Sequence, residues 1–229
     1  MVMLGSVDAN KTGALAEVLW HRNCRPTQVL VVGCGSGQEA GLLGRYFDAA
    51  VVGIDISGEV FDPVAARPAI LQVMDATRLG YRDGSFDLVY SFHSLEHIGD
   101  YKAALAEMAR VLRPGGTFLV GTPNKSRVVG YVNSSAPARD RLRWNVEDYR
   151  RRLARQWSNE HGAHAGFTRS ELLLLCAGAF GEAEDVSDDY YRKSHRRGRW
   201  AVALLERSHL KKYAYPCVYV TGLRKQDPA

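Results

Sequence analysis

Two groups of residues in this chain have types and spacings that can do chemistry. The first begins with Gly33, Gly35 and Gly37, on alternate positions directly after Val29-Leu30-Val31-Val32, and continues with Asp55 and Asp75, 22 and 42 residues after Gly33. A buried strand, a loop without side-chain bulk and a helix N-terminus make a seat for a nucleotide-like ligand. A carboxylate at Asp55 can accept hydrogen bonds from both ribose hydroxyls, and one at Asp75 from the exocyclic amine of adenine, with Val73 and Met74 as an apolar wall. The second group is Ser91-Phe92-His93-Ser94-Leu95-Glu96-His97. An imidazole titrates near neutrality, so His93 is the candidate general base for a hydroxyl nucleophile. His93, Glu96 and His97, at i, i+3 and i+4, would share a helix face and could hold a metal. Simpler roles compete: strand-end caps for the two aspartates, a pocket-lining or backbone-bonded His93, and a small loop residue for Cys34.

These residues need a scaffold, and the apolar periodicity supplies one. Strands are expected at Thr27–Val32, Ala49–Ile54, Ala69–Met74, Phe86–Phe92 and Thr117–Gly121. Helices are expected at Ala14–His21, Gln38–Phe47 and Tyr101–Leu112, with a weak one at Val60–Ala66 interrupted by Pro63 and Pro68. Arg113-Pro114-Gly115-Gly116 should stop the third of these. Alternation over residues 27–122 implies a parallel sheet with right-handed crossovers, and such sheets bind ligands outside the carboxyl ends of their strands. Beyond it, Thr168 and Glu171 have capping-box spacing ahead of Leu172–Ala179. A strand at Ala183–Val186, a helix at Trp200–Leu210 and a last strand at Cys217–Leu223 complete the pattern.

The glycine spacing decides between ligands. A dinucleotide fingerprint would put its third glycine where Gln38 stands, and no phosphate-loop lysine motif occurs. Gly33 to Gly37, Asp55, Asp75, Phe86-Asp87-Leu88-Val89-Tyr90 and Leu112-Arg113-Pro114-Gly115-Gly116 together resemble the class I S-adenosylmethionine-dependent methyltransferases, over about residues 27–122. The resemblance implies an α/β fold, a doubly wound, mostly parallel seven-stranded sheet whose last strand is antiparallel. It implies S-adenosyl-L-methionine as methyl donor and S-adenosyl-L-homocysteine as product. Backbone near Gly35 would meet the methionine part, Asp55 the ribose, Ile56 the face of the adenine and Asp75 its edge. The cofactor-facing set is then Gly33, Cys34, Gly35, Gly37, Asp55, Ile56, Met74, Asp75, Ala76 and Ser91. His93 is the catalytic candidate. Glu96-His97 looks like the Glu-His of small-molecule members, usually structural. Some quinone O-methyltransferases carry a glutamate where His93 stands, so no metal is expected. An N/D-P-P-Y/F tetrapeptide, carried by family members that methylate base amines, is missing.

Residues 123–166 interrupt the alternation and are expected as an insertion, or lid, over the substrate edge of a single domain spanning 1–229. They should be partly helical between Val146 and Trp157. Arg139, Arg141, Arg143 and Arg150 to Arg152 could pair with an anionic acceptor or form a solvated face, and His161 and His164 could reach the site from above. The net charge of +5 permits a nucleic-acid partner, which the lack of a separate RNA-binding module disfavours. No apolar run approaches the about 20 residues of a membrane span. Met1 to Asn10 lacks the features of a secretory signal, and four scattered cysteines suit a reducing cytoplasm. The expected activity is methyl transfer to a small-molecule acceptor, most readily at oxygen: a sugar, a quinone-like compound or a natural product. RNA or protein methylation, and a non-catalytic cofactor-binding scaffold, are the alternatives.

Overall fold

Residues Val29 and Val31 pack on one face of the sheet while Leu30 and Val32 pack on the other. A strand this uniformly apolar can only be central, because successive side chains point to opposite faces and both faces here are covered. The computed structural model describes residues 7–131, 136–161, 164–194, 199–208 and 210–226. In it β1 (Gln28–Val32), β2 (Ala50–Asp55), β3 (Ile70–Val73), β4 (Phe86–Phe92), β5 (Leu112–Pro123), β6 (Glu184–Asp185) and β7 (Cys217–Leu223) form a seven-stranded sheet in the order β3-β2-β1-β4-β5-β7-β6. Strands β1 to β5 run parallel, and β7 runs antiparallel to both β5 and β6. The doubly wound fold with its antiparallel last strand is therefore present.

Helices α1 (Val7–His21) and α2 (Gln38–Phe47) cover one face, burying Leu15, Val18, Leu19 and Leu43 against Val31 and Tyr90. Helices α3 (Tyr101–Val111) and α5 (Arg169–Phe180) cover the other, where Leu105, Met108, Leu172 and Phe180 meet Val89 and Phe118. Asp100 caps α3 through the Ala103 amide, and Thr168 and Glu171 exchange both bonds of a capping box at α5. The chain leaves β1 toward β2 and β3, then crosses back to β4 on the other side of β1. That reversal opens a crevice where β1 and β4 end.

Three local expectations need correction, and one further helix had none. Val60–Ala66 is a run of turns. Asp62 there accepts hydrogen bonds from the Val64 and Ala65 amides, each at 3.0 Å, which closes a turn in place of a helix. The fifth strand begins at Leu112, not Thr117. The Pro114-Gly115-Gly116 run is included in it, with Gly115 at φ 71°, a register shift against Phe86 and Leu88 and backbone bonds to Arg224. The expected Trp200–Leu210 helix is two, α7 (Arg199–Glu206) and α8 (Lys211–Ala214). A helix with few apolar residues, α6 (Ser187–Ser194), was not expected. It is started by the Asp185 carboxylate on Ser187 and anchored by buried Tyr190 and Tyr191.

The insertion is built around a buried cation. Its helix α4 spans Ala138–Leu153, starting eight residues before the expected Val146. The Arg127 guanidinium, 4% exposed, donates to Asp148 Oδ2 at 3.0 Å and to the carbonyls of Asn124 and Ala165. Tyr131 donates to the other Asp148 oxygen at 3.2 Å, and the Trp157 ring lies 4.9 Å from the guanidinium. Removing one partner of a buried pair leaves an uncompensated charge, typically at about 3–5 kcal/mol. Asp148→Ala is therefore expected to loosen the insertion while the sheet persists, seen as early proteolytic cleavage within residues 124–166 and a lowered melting temperature. Cleavage and melting identical to the parent would contradict this reading. Among the described residues, no helix is long and apolar enough to cross a membrane.

Candidate functional site

The glycine loop joins β1 to α2 at the crevice. Gly33, Gly35 and Gly37 have φ of 69°, 51° and 85°, a region L side chains rarely adopt. At Gly35 a Cβ would meet nothing within 4 Å, so the backbone there faces open space that a ligand can enter. At Gly33 a Cβ would sit 2.1 Å from Cβ of Ser94. Ser94 cannot yield, because its hydroxyl bonds Ser91 Oγ at 2.6 Å and donates to the Val32 carbonyl at 3.1 Å. The loop after β1 and the turn after β4 are thus packed as one unit. Gly33→Ala is expected to cost more than about 2 kcal/mol, from the positive φ together with overpacking. Denaturant unfolding measures it, and an unchanged midpoint would contradict the close approach.

Asp55, the last residue of β2, latches the loop by accepting the Gly35 amide on Oδ2 at 2.9 Å. Among the described residues its Oδ1 has only a long contact, 3.4 Å, from the Ser57 amide, which leaves it available to a ribose hydroxyl. Next to it Ile56 is 70% exposed and Val73 62%, two apolar side chains left open at the end of the β2–β3 edge. Exposed branched residues at strand ends suit a flat heterocycle. Asp75 follows β3 in an Asx turn, with Oδ1 taken by the Thr77 amide and hydroxyl at 2.8 Å each, and these bonds hold its carboxyl below the usual range. Met74 is half-buried and Ala76 buried beside it. Cys34 is buried in the loop, where burial and the Asp55 charge push its thiol up to about 12, so it stays an inert thiol. Ser91 is fully buried and spends its hydroxyl on Ser94, so its side chain braces the loop from within.

Across the crevice, β4 delivers His93. The residue lies outside any helix, at φ 53°, with its amide donating to the Gly121 carbonyl at 2.8 Å. A short 3₁₀ turn starts only at Leu95, so His93 does not share a helix face with Glu96 and His97 as the spacing suggested. The His93 side chain is 38% exposed, facing the crevice. Burial, reinforced by Lys11, Arg127, His97 and His164, holds its imidazole down to about 3, so the ring is neutral and one of its nitrogens carries an unshared lone pair. The Glu96 side chain is 1% exposed, and burial pushes its carboxyl up to about 7. His97 and His164 pack edge to face at 4.6 Å, so one of the insertion histidines does reach the site. The side chain of His161 lies outside the described residues.

Two residues at the site were not anticipated. Cys217 opens β7, and antiparallel pairing of Pro123 with Cys217 carries it to the carboxyl edge. Its Sγ is 3.2 Å from His93 Nε2. Arg127 reaches the same place electrostatically, lowering His93 and Cys217 alike. The arginines that could meet an acceptor or form a solvated face are placed in two ways. Arg139, Arg143 and Arg150 line an outward groove of about 440 Å³ along α4 with Leu142 and Val146. Arg152 turns inward beneath Trp157, at 4.5 Å.

Comparison with known proteins places this geometry. Residues 30–120 match a family model described as a methyltransferase domain. A probable S-adenosylmethionine-dependent methyltransferase of Mycolicibacterium smegmatis is 37% identical over 116 residues, 48% of this chain and 44% of that protein. The 27-O-demethylrifamycin SV methyltransferase of Amycolatopsis mediterranei is 34% identical over 102 residues, 41% of this chain and 38% of that one. The chain thus spans under half the length of these curated relatives. Among solved structures, the plantazolicin methyltransferase crystallised with a desmethyl analogue and S-adenosylhomocysteine superposes over 96% of this chain and 84% of that one, with a TM-score of 0.61 at 13% identity. That likeness concerns the fold.

Proposed function

We propose that residues 30–120, which match a methyltransferase domain, form a class I S-adenosylmethionine-dependent methyltransferase domain, and that the protein transfers a methyl group from S-adenosyl-L-methionine to a hydroxyl of a small-molecule acceptor in the cytoplasm, leaving S-adenosyl-L-homocysteine. The bound cofactor supplies an electrophilic methyl on a sulfonium, which reacts in line with an incoming lone pair. The residues fit such a group. The open backbone at Gly35 would admit the amino-acid tail, Asp55 Oδ1 would take ribose hydroxyls, Ile56 and Val73 would give the adenine an apolar surface and Asp75 would take its amine. His93 accepts the hydroxyl proton as the carbon–oxygen bond forms.

The observation that carries the reading is the neutral, crevice-facing imidazole of His93, across from the open glycine backbone. Oxygen is favoured because a hydroxyl must lose its proton during attack, whereas a neutral amine can attack first and lose its proton afterwards. A base placed at the site serves the hydroxyl more. The relative acting on 27-O-demethylrifamycin is consistent with this choice. Residues 123–166 would then act as the lid that selects the acceptor. Incubating the protein with methyl-labelled donor and a panel of hydroxylated small molecules, beside RNA and protein fractions, tests the proposal. Label in a methyl ether supports it, and label confined to RNA or protein overturns it.

A further inference from the structure

Glu96 is a buried carboxyl group to which the transfer as described gives no part. Among the described residues its Oε2 has no hydrogen-bond partner, and its Oε1 lies 3.6 Å from His93 Nδ1. Arg127 faces it from the insertion, but that guanidinium is committed to Asp148. A buried carboxyl left this open is costly, so its retention calls for a partner or a task. The imidazole itself is also held by other contacts. Its other nitrogen, Nε2, is 3.2 Å from Cys217 Sγ, the Phe92 ring packs at 4.2 Å and the backbone is fixed in a left-handed conformation. Burial pushes the Cys217 thiol up to about 11, so it keeps its proton, and it can donate to a bare Nε2 or accept from an Nε2–H according to which ring nitrogen carries the proton.

We propose that Glu96 is a positioning residue for His93: its carboxylate holds the ring proton on Nδ1 and so presents the Nε2 lone pair to the acceptor hydroxyl, at the place the Cys217 thiol fills. This rests on His93 acting as the base. In the transfer, the acceptor oxygen gains the methyl as the sulfonium carbon–sulfur bond breaks to a neutral thioether. The hydroxyl proton goes to Nε2, and the imidazolium so formed keeps its Nδ1 proton against Glu96 until solvent takes one proton away. The groups facing the pair are Lys11 of α1, Arg127 and His164 of the insertion, His97 of the 3₁₀ turn and Cys217 of β7. Because burial pushes Glu96 up to about 7, turnover should rise with pH through that value as the carboxylate forms.

Two readouts on the full chain test this. In histidine-labelled protein without substrate, nitrogen NMR is expected to find the His93 proton on Nδ1, and to find it moved to Nε2 in Glu96→Leu. A proton on Nε2 in the parent, or on Nδ1 in Glu96→Leu, overturns the proposal. In the isosteric Glu96→Gln, kcat is expected to fall at least about tenfold with KM within about twofold, and the acid limb near pH 7 to vanish. An unchanged kcat and limb overturns it. Unaltered S-adenosylhomocysteine affinity in both variants establishes that they are folded. If the parent transfers no methyl to any acceptor, the proposed function fails, while the position of the His93 proton still decides the role of Glu96.

Discussion

Asp55→Ala is expected to weaken S-adenosylhomocysteine binding by about a hundredfold or more, measured by titration calorimetry. A hydrogen bond to a charged acceptor contributes about 1.5–3 kcal/mol, and about 1.4 kcal/mol is tenfold in affinity. The carboxylate would lose two ribose bonds and, in addition, its 2.9 Å latch on the Gly35 amide, so the loop itself loosens. Asp55→Asn keeps one oxygen acceptor and should fall between, near tenfold. Circular dichroism should show the same helix content in all three proteins, because Asp55 ends its strand at the crevice and is only half-buried. Unchanged affinity in Asp55→Ala would remove the cofactor seat from this loop.

Removing the base gives the opposite signature. Replacing His93 is expected to lower kcat by roughly a hundredfold to ten-thousandfold while S-adenosylhomocysteine affinity stays within about twofold of the parent. The residue sits past the end of β4, and the contact to the glycine loop is made by Ser94 instead. At φ 53° alanine would add backbone strain, so His93→Asn is the cleaner variant, since asparagine tolerates the left-handed region. Wild-type turnover in His93→Asn would exclude imidazole as the base. Together the two variants separate binding from chemistry: Asp55 acts on Kd, His93 on kcat.

The parts legible in the sequence were those written in periodicity and turn chemistry. Val29–Val32, the three glycines and α2 could be read because an apolar run, positive-φ residues and an amphipathic helix follow one another without interruption. The Thr168–Glu171 capping box was readable for the same reason. Contacts made across the fold were not. Cys217 stands 124 residues from His93, and only the register of β5 with β7 brings them together. Arg127 gives no sequence signal that separates it from the arginines of α4, yet it is the one buried on Asp148. Helix α6 was missed because Ser187-Asp188-Asp189 reads as loop, and its two buried tyrosines matter only once α1 and β7 are beside them. At Val60–Ala66 the error had the reverse cause. Apolar residues suggested a helix, but the Asp62 side chain satisfied the backbone locally and the prolines prevented propagation.

A crystal structure with bound S-adenosylhomocysteine bears most directly on the central claim, that the donor sulfur and His93 face one another across a space for an acceptor hydroxyl. The distance to measure runs from that sulfur to His93 Nε2. One methyl in near-attack contact with one hydroxyl, itself hydrogen-bonded to the base, requires roughly 6–8 Å, with the ribose on Asp55. A sulfur directed away from His93, or a ribose seated away from Asp55, would contradict the assignment of this crevice as the methyl-transfer site.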